Sequence, residues 1–181
     1  AGWHHVNIHA GKRCDTYHAY LEPALERHGN ITLETHAQAT RLLFEGETCM
    51  GVEYIQHGGL RTVRAVQEVI VCAGAIESPK LLMLSGIGDA NALAHLDIVP
   101  VVDLPGVGEN FHNHVLTGVV MEAKAPVAPG SQNLSEAALF WKSSPQWIAP
   151  DLQIAFVHVP FHIADGARAN AVSILPGVIR P

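Results

Sequence analysis

The chain has 181 residues, 48% of them hydrophobic and 15% charged, which is material for one ordinary domain or two small ones and too apolar for a disordered segment. Eleven Lys and Arg stand against 17 Asp and Glu, a formal charge of −6, the reverse of what a phosphate-tracking nucleic-acid binder carries. No apolar run approaches the roughly 20 residues that span a bilayer, so neither a nucleic-acid partner nor a transmembrane segment is expected.

The opening Ala1-Gly2-Trp3-His4-His5 has neither the basic region nor the apolar stretch of a secretory signal, and no initiator Met. A processed chain or a piece of a longer protein is the expectation. Cys14, Cys49 and Cys72 are too few and too widely spaced for a disulfide framework or a zinc knuckle. All three read as reduced thiols, with Cys72 buried in an apolar strand, and a cytoplasmic home follows. Twelve histidines include His112 and His114, which alternate around Asn113. They lack the helical pair or Cys partners that a metal site uses, so they read as surface and loop residues.

Residues 15–28 predict a helix capped by Asp15, kinked or divided at Pro23 and ended by Gly29. Ile31, Leu33 and Thr35 alternate with polar neighbours and predict a strand. Residues 38–45 and 49–57 predict two more, with Gly46 near the turn between them. His57-Gly58-Gly59 is a second turn, and residues 60–66 alternate again. Residues 68–73 run almost continuously apolar, as a strand buried on both faces does. Ser78 is a good N-cap with Pro79 at the first helical position, and Gly86 stops that helix. Asp89 caps a short helix over 90–96, Val99–Val102 is a short strand, and 104–110 is a loop by its Pro and Gly content. Val115–Ala123 predicts a strand and 124–132 a loop. Asn133 or Ser135 opens a short helix to about 142, and 143–150 is a linker. Residues 151–159 and 171–179 are two further strands. The domain boundary is placed near 110–114.

The stretch 68–88 carries the chemistry. A buried strand ends at a glycine and a helix follows, its N-terminus facing the crevice where open α/β sheets bind ligands. Gly74 has no Cβ to block a close approach, and the helix start offers unpaired N–H groups. The same strand–turn–helix also occurs with no ligand at all.

Gly74-Ala75-x-x-Ser78-Pro79-x-Leu81-Leu82-x-x-Ser85-Gly86-Ile87-Gly88 resembles the second signature of the glucose–methanol–choline (GMC) flavoprotein oxidoreductases, with choline-dehydrogenase-like alcohol dehydrogenases the nearest members. Tyr20-Leu21-x-Pro23-Ala24, Gly51-Val52-Glu53-Tyr54 and the loop Asp103–Asn110 are similar to the family's flanking elements, and Asp151-Leu152-Gln153 and Arg180-Pro181 are familiar too. The resemblance is dense over 13–114 and thinner beyond. It implies an α/β fold, α+β overall: part of an FAD-binding α/β domain with a β-meander over 1–112, and part of an antiparallel-sheet substrate domain over 113–181.

It implies FAD as cofactor, a small-molecule alcohol as substrate, and oxidation to an aldehyde or ketone by hydride transfer to flavin. Ala39 falls where relatives contact adenine through the backbone, and Ala73 and Gly74 lie at the strand end near the dinucleotide. Asn110 and His114 sit where relatives have an Asn-x-x-Asp-His run, but the Asp position is Asn113 here. A hinge role fits that loop better than acid–base chemistry, and Glu77 fits a dipole role at its helix. No G-x-G-x-x-G spacing occurs, and the family's catalytic His pair lies beyond these residues. The chain therefore reads as an internal fragment with no catalytic residue of its own. An apolar meander face left open invites association into a homo-oligomer. The alternative is a non-catalytic binding or structural module that keeps the fold. An NAD-dependent dehydrogenase would need its own glycine fingerprint and acidic ribose ligand. Which alcohol is oxidised, and whether by an oxidase or a dehydrogenase, stays open.

Overall fold

The structure is a computed structural model and describes residues 1–128, 135, 137–160 and 170–179. In chain order come β1 (Gly2–Trp3), β2 (Ile8–His9), β3 (Lys12–Arg13), a π-helical turn (Tyr17–Leu21), α1 (Glu22–Arg27), β4 (Ala37–Glu45), β5 (Thr48–Gln56), β6 (Gly59–Arg64), α2 (Gly74–Leu84), β7 (Ile87–Gly88), α3 (Ala90–Ala94), β8 (Val102–Asp103), β9 (Val115–Leu116), β10 (Val119–Glu122), β11 (Ala137–Trp141), β12 (Leu152–Val157) and β13 (Ala171–Val178). The mixed α/β content with antiparallel sheets agrees with the fold class expected above. The chain divides into two units, Thr32–His112 and a second that joins Ala1–Ile31 to Asn113–Pro181. The first 31 residues therefore cluster with the C-terminal part, not with the 32–112 unit.

In the 32–112 unit, β4, β5 and β6 form an antiparallel meander in that order. The turns explain it. Gly46 has φ +61°, and His57 and Gly58 both have positive φ, at +52° and +76°, as a two-residue hairpin with the right twist requires. Gly51 faces β6 so closely that a Cβ would lie 2.2 Å from the Val63 carbonyl oxygen. The ladder slips between Ala39 and Arg41. The extra residue, Thr40, turns its hydroxyl to the Glu53 carboxylate at 2.9 Å, which Arg41 also meets at 3.1 Å.

Three expectations are corrected in this unit. Segments 31–35 and 68–73 carry no ladder among the described residues. Alternation says which side chains share a face, but a strand needs a second strand to supply its hydrogen bonds. Cys72 is consequently exposed, not buried, and Ile70 beside it is 73% exposed. Finally, α2 starts at Gly74 and not after Ser78, with Pro79 inside the helix. The Ser78 hydroxyl is not the N-cap; it accepts from the Ala73 N–H at 3.0 Å, one of the donors a helix start leaves free.

The other end of α2 is tied down tightly. The buried Ser85 hydroxyl donates to the Leu81 carbonyl at 2.5 Å and accepts from the Leu42 N–H of β4 at 2.8 Å. Gly86 (φ +86°) then turns the chain so that its carbonyl accepts from Val101 N–H at 2.7 Å, and β7 pairs with β8 in parallel. Asp89 caps α3 as expected, accepting from Ala92 N–H at 2.8 Å. Leu93 of α3 is fully buried.

In the other unit a six-stranded antiparallel sheet runs β1-β11-β12-β13-β10, with β9 also on β13. The helix expected from Asn133 or Ser135 to about 142 is corrected: Ala137–Trp141 is a strand. A five-residue apolar run fits either period, and register with β12 from Ala137↔Phe156 to Trp141↔Leu152 decides it. Asn133 itself, part of the 124–132 loop and Arg180-Pro181 lie outside the described residues. The register separates two faces. Trp3, Leu139, Ile154, Phe156, Ile174 and Val119 share one with Ala137, Trp141, Leu152, Val172, Pro176, Val178, Val115 and Met121, and every one of these is apolar. Ala138, Gln153, Ala155, Val157, Ser173, Leu175 and Gly177 lie on the other, where Ala138, Val157, Ser173 and Leu175 are buried.

Near the N-terminus the 15–28 helix forms in two parts around Pro23, as its position predicted: a π-helical turn, then α1 with Pro23 in its first turn. Asp15 receives the His18 N–H at 3.0 Å, the bond a capping carboxylate makes.

Candidate functional site

The site is built where the edge of β4 meets one side of α2 along its length. A cleft of about 360 Å³ is lined there by Gln38, Ala39, Ala73, Glu77, Lys80, Leu81 and Leu84. The structure thus brings Ala39 and Ala73 to one cavity. Gly74 is the next residue, at the start of α2, with φ +88° and open space where a Cβ would point. That conformation belongs to glycine.

The ladder shows what Ala39 presents. His57-Gly58 closes a two-residue hairpin, so its flanking pair Gln56↔Gly59 exchanges hydrogen bonds. Antiparallel strands alternate, so Tyr54 and Val52 also bond to β6, while Ile55, Glu53 and Gly51 bond to β4. Ala39 lies opposite Tyr54 and Leu42 opposite Val52. Both therefore turn N–H and C=O away from β5. Leu42 bears this out, since its N–H reaches Ser85 of α2. Ala39 accordingly offers one donor and one acceptor, side by side, to the cleft.

The helix wall is a single stripe: Ala73, Glu77, Lys80, Leu81 and Leu84 follow at helical spacing. Lys80 Nζ meets the Glu77 carboxylate at 2.9 Å, so the wall carries a neutralised pair. Gln38, Lys80 and Leu84 were not singled out from the sequence, and Leu81 entered only as a position of the 74–88 signature. The signal was present in the helical period, but a helix started at Ser78 leaves Ala73 and Glu77 outside the stripe. Asn110 adopts φ +55°, and Asn113 Oδ1 accepts from His114 N–H at 2.8 Å. Among the described residues no three His, Cys, Asp or Glu side chains come together to hold a metal, and no helix is long and apolar enough to cross a membrane.

Residues 1–116 match the family model described as GMC oxidoreductase. The chain belongs to this family. It is 39% identical over 175 residues to an uncharacterised GMC-type oxidoreductase of Mycobacterium tuberculosis, covering 87% of this chain and 33% of that one. It is 44% identical over 126 residues to the mitochondrial choline dehydrogenase of Homo sapiens, covering 70% of this chain and 21% of that one. The crystal structure of pyridoxine 4-oxidase from Mesorbium loti superimposes with a TM-score of 0.83 at 31% identity, over 97% of this chain and 35% of the other. The chain spans about a third or less of the length of these GMC relatives. The 74–88 signature now has a physical reading. Gly74 and Gly86 take positive φ, Ser78 serves the helix start, Ser85 ties helix to strand, and Gly88 leaves room for Met83 and Leu93.

Proposed function

We propose that this chain is part of an FAD-dependent oxidoreductase that oxidises an alcohol to an aldehyde or ketone. FAD is the cofactor that GMC membership calls for, and when bound it supplies the hydride acceptor. On this reading Thr32–His112 belongs to the FAD-binding domain and the sheet of 113–178 to the substrate domain. A small-molecule alcohol, a homo-oligomeric assembly and a cytoplasmic location belong to the same proposal. The catalytic base is assigned to no residue of this chain.

The observation that carries the reading is the outward N–H and C=O of Ala39 over the cleft. Adenine presents an acceptor ring nitrogen beside a donor amino group, which is the complement of that pair. Hypoxanthine presents the reverse order and does not match. Ala73 and Gly74 give the closest backbone approach, and the α2 N-terminus favours negative charge nearby. Leu81 and Leu84 supply the apolar wall on which a base lies. Titration of the ¹⁵N-labelled chain with AMP should move the Ala39 and Gly74 amides in a saturable way, while IMP moves them less. Ala39→Pro removes only the outward donor at an edge position that tolerates proline. It should weaken AMP about fivefold, the loss of one net hydrogen bond. Equal responses to AMP and IMP would remove the reading.

A further inference from the structure

The two faces of the six-stranded sheet are built differently, and the difference assigns a use to one of them. One face is apolar at every position. The other carries a single amide, Gln153, with Phe140 directly across from it on β11. Gln153 lies directly across from Gly177, and Ala155 across from Leu175. Around the Gln153–Gly177 pair lies a cavity of about 190 Å³ lined by His114, Leu116, Gln153, Ala155, Leu175 and Gly177, with Val178 and Ile179, and Leu116 Cδ1 stands 3.1 Å from where a Gly177 Cβ would point. The Gln153 side-chain amide makes no hydrogen bond among the described residues, although the residue is half-buried. A polar group left unpaired in a part-apolar pocket is where a ligand's polar atom gains most.

Resting on the function proposed above, we infer that this cavity holds the carbon skeleton of a small uncharged alcohol and that Gln153 is a specificity-determining residue for it. The volume is below the 300–1,000 Å³ that drug-sized ligands occupy, so the skeleton has few carbons. Leu116, Leu175 and Ala155 pack against the skeleton. The amide can both donate to and accept from an alcohol oxygen. No Asp, Glu, Phe, Tyr or Trp among the described residues lines the cavity, and a quaternary ammonium group needs aromatic faces or a carboxylate. His114, the one basic lining group, brings no negative charge. Uncharged alcohols are therefore selected over choline.

The test uses the ¹⁵N-labelled chain with 1-butanol, benzyl alcohol and choline as probes. Either neutral alcohol should shift the Gln153 side-chain amide and the Gly177 N–H with saturation, and choline should not at equal concentration. Gln153→Leu keeps the volume and should weaken the neutral alcohols at least about fivefold. Ala155→Val fills the cavity at a strand position that suits a branched residue and should abolish binding. The inference is overturned if choline shifts Gln153 as strongly as the alcohols, if the shifts fail to saturate, or if both variants bind as the parent does. A saturable AMP response at Ala39 without an alcohol response at Gln153 removes this inference alone. Loss of AMP selectivity removes the cofactor reading, independently of what Gln153 does.

Discussion

At the scale of single residues, one bond and one glycine hold distant parts of the 32–112 unit together, and each makes a prediction. Ser85→Ala leaves the buried Leu42 N–H without its acceptor, and should cost about 1–3 kcal/mol by urea unfolding. Gly86→Ala is worse placed. Its backbone is left-handed, and a Cβ would lie 2.6 Å from the Val99 carbonyl oxygen, so a loss of about 2 kcal/mol or more is expected. Gly86 was readable as a helix stop from its type and position. The Ser85 bond was not, because its partner is 43 residues away and no local pattern reports such a distance.

The Asp15–His18 pair predicts a pH dependence. The Asp15 carboxylate, 2.7 Å from His18 Nδ1, holds the imidazole above its usual 6.5, first by that hydrogen bond and then by charge. Asp15 is held below its usual 3.8, first by the His18 backbone N–H and then by the ring. The His contribution is complete below 6.5 and is lost as pH rises through the raised value. The Asp contribution is complete above 3.8 and is lost as pH falls through the lowered value. The start of the 17–27 helical segment is therefore firmest between about 4 and 6.5. NMR titration of Asp15→Asn should return the His18 midpoint toward 6.5; an unmoved midpoint would show that the pair does not form in solution.

At the scale of elements, the sequence was legible where two independent signals agreed. The meander had alternation over 60–66 and glycine at both turns, and β4, β5 and β6 fall close to the expected bounds. His57 tests the turn chemistry, since it holds φ +52° without being glycine. His57→Asn puts the preferred Asn-Gly pair into the hairpin, and should raise stability by about 0.5 kcal/mol. Gly51→Ala should disrupt the β5–β6 ladder, seen as lost amide protection at Val63 and Ala65. Where only one signal spoke, the reading was incomplete. Segments 31–35 and 68–73 have the pattern of strands but no partner among the described residues. For β11 and the start of α2, the deciding facts were a register with β12 and a hydrogen bond to Ala73, and neither leaves a trace in local composition.

At the scale of the whole molecule, the 74–88 signature was enough to expect the family and an α/β fold, since one motif can report a whole architecture. Assembly of the six-stranded sheet was not legible, because β1 pairs with β11 across more than 130 residues. That sheet makes the last prediction. Its apolar face leaves Trp3 83% and Trp141 58% exposed toward one edge, and Val115, Val119 and Met121 exposed toward the other. A contiguous apolar face of this kind drives association. The purified chain should therefore self-associate with rising concentration in sedimentation velocity, and 1-anilinonaphthalene-8-sulfonate should fluoresce strongly on it. Val119→Lys puts a charge on an edge strand of the same face, a device that discourages edge and face contacts together. It should shift the distribution toward monomer without changing the unfolding free energy by more than about 0.5 kcal/mol, the usual range for a surface substitution. A parent chain that sediments as a monomer at high concentration would mean that this face is not the associating surface.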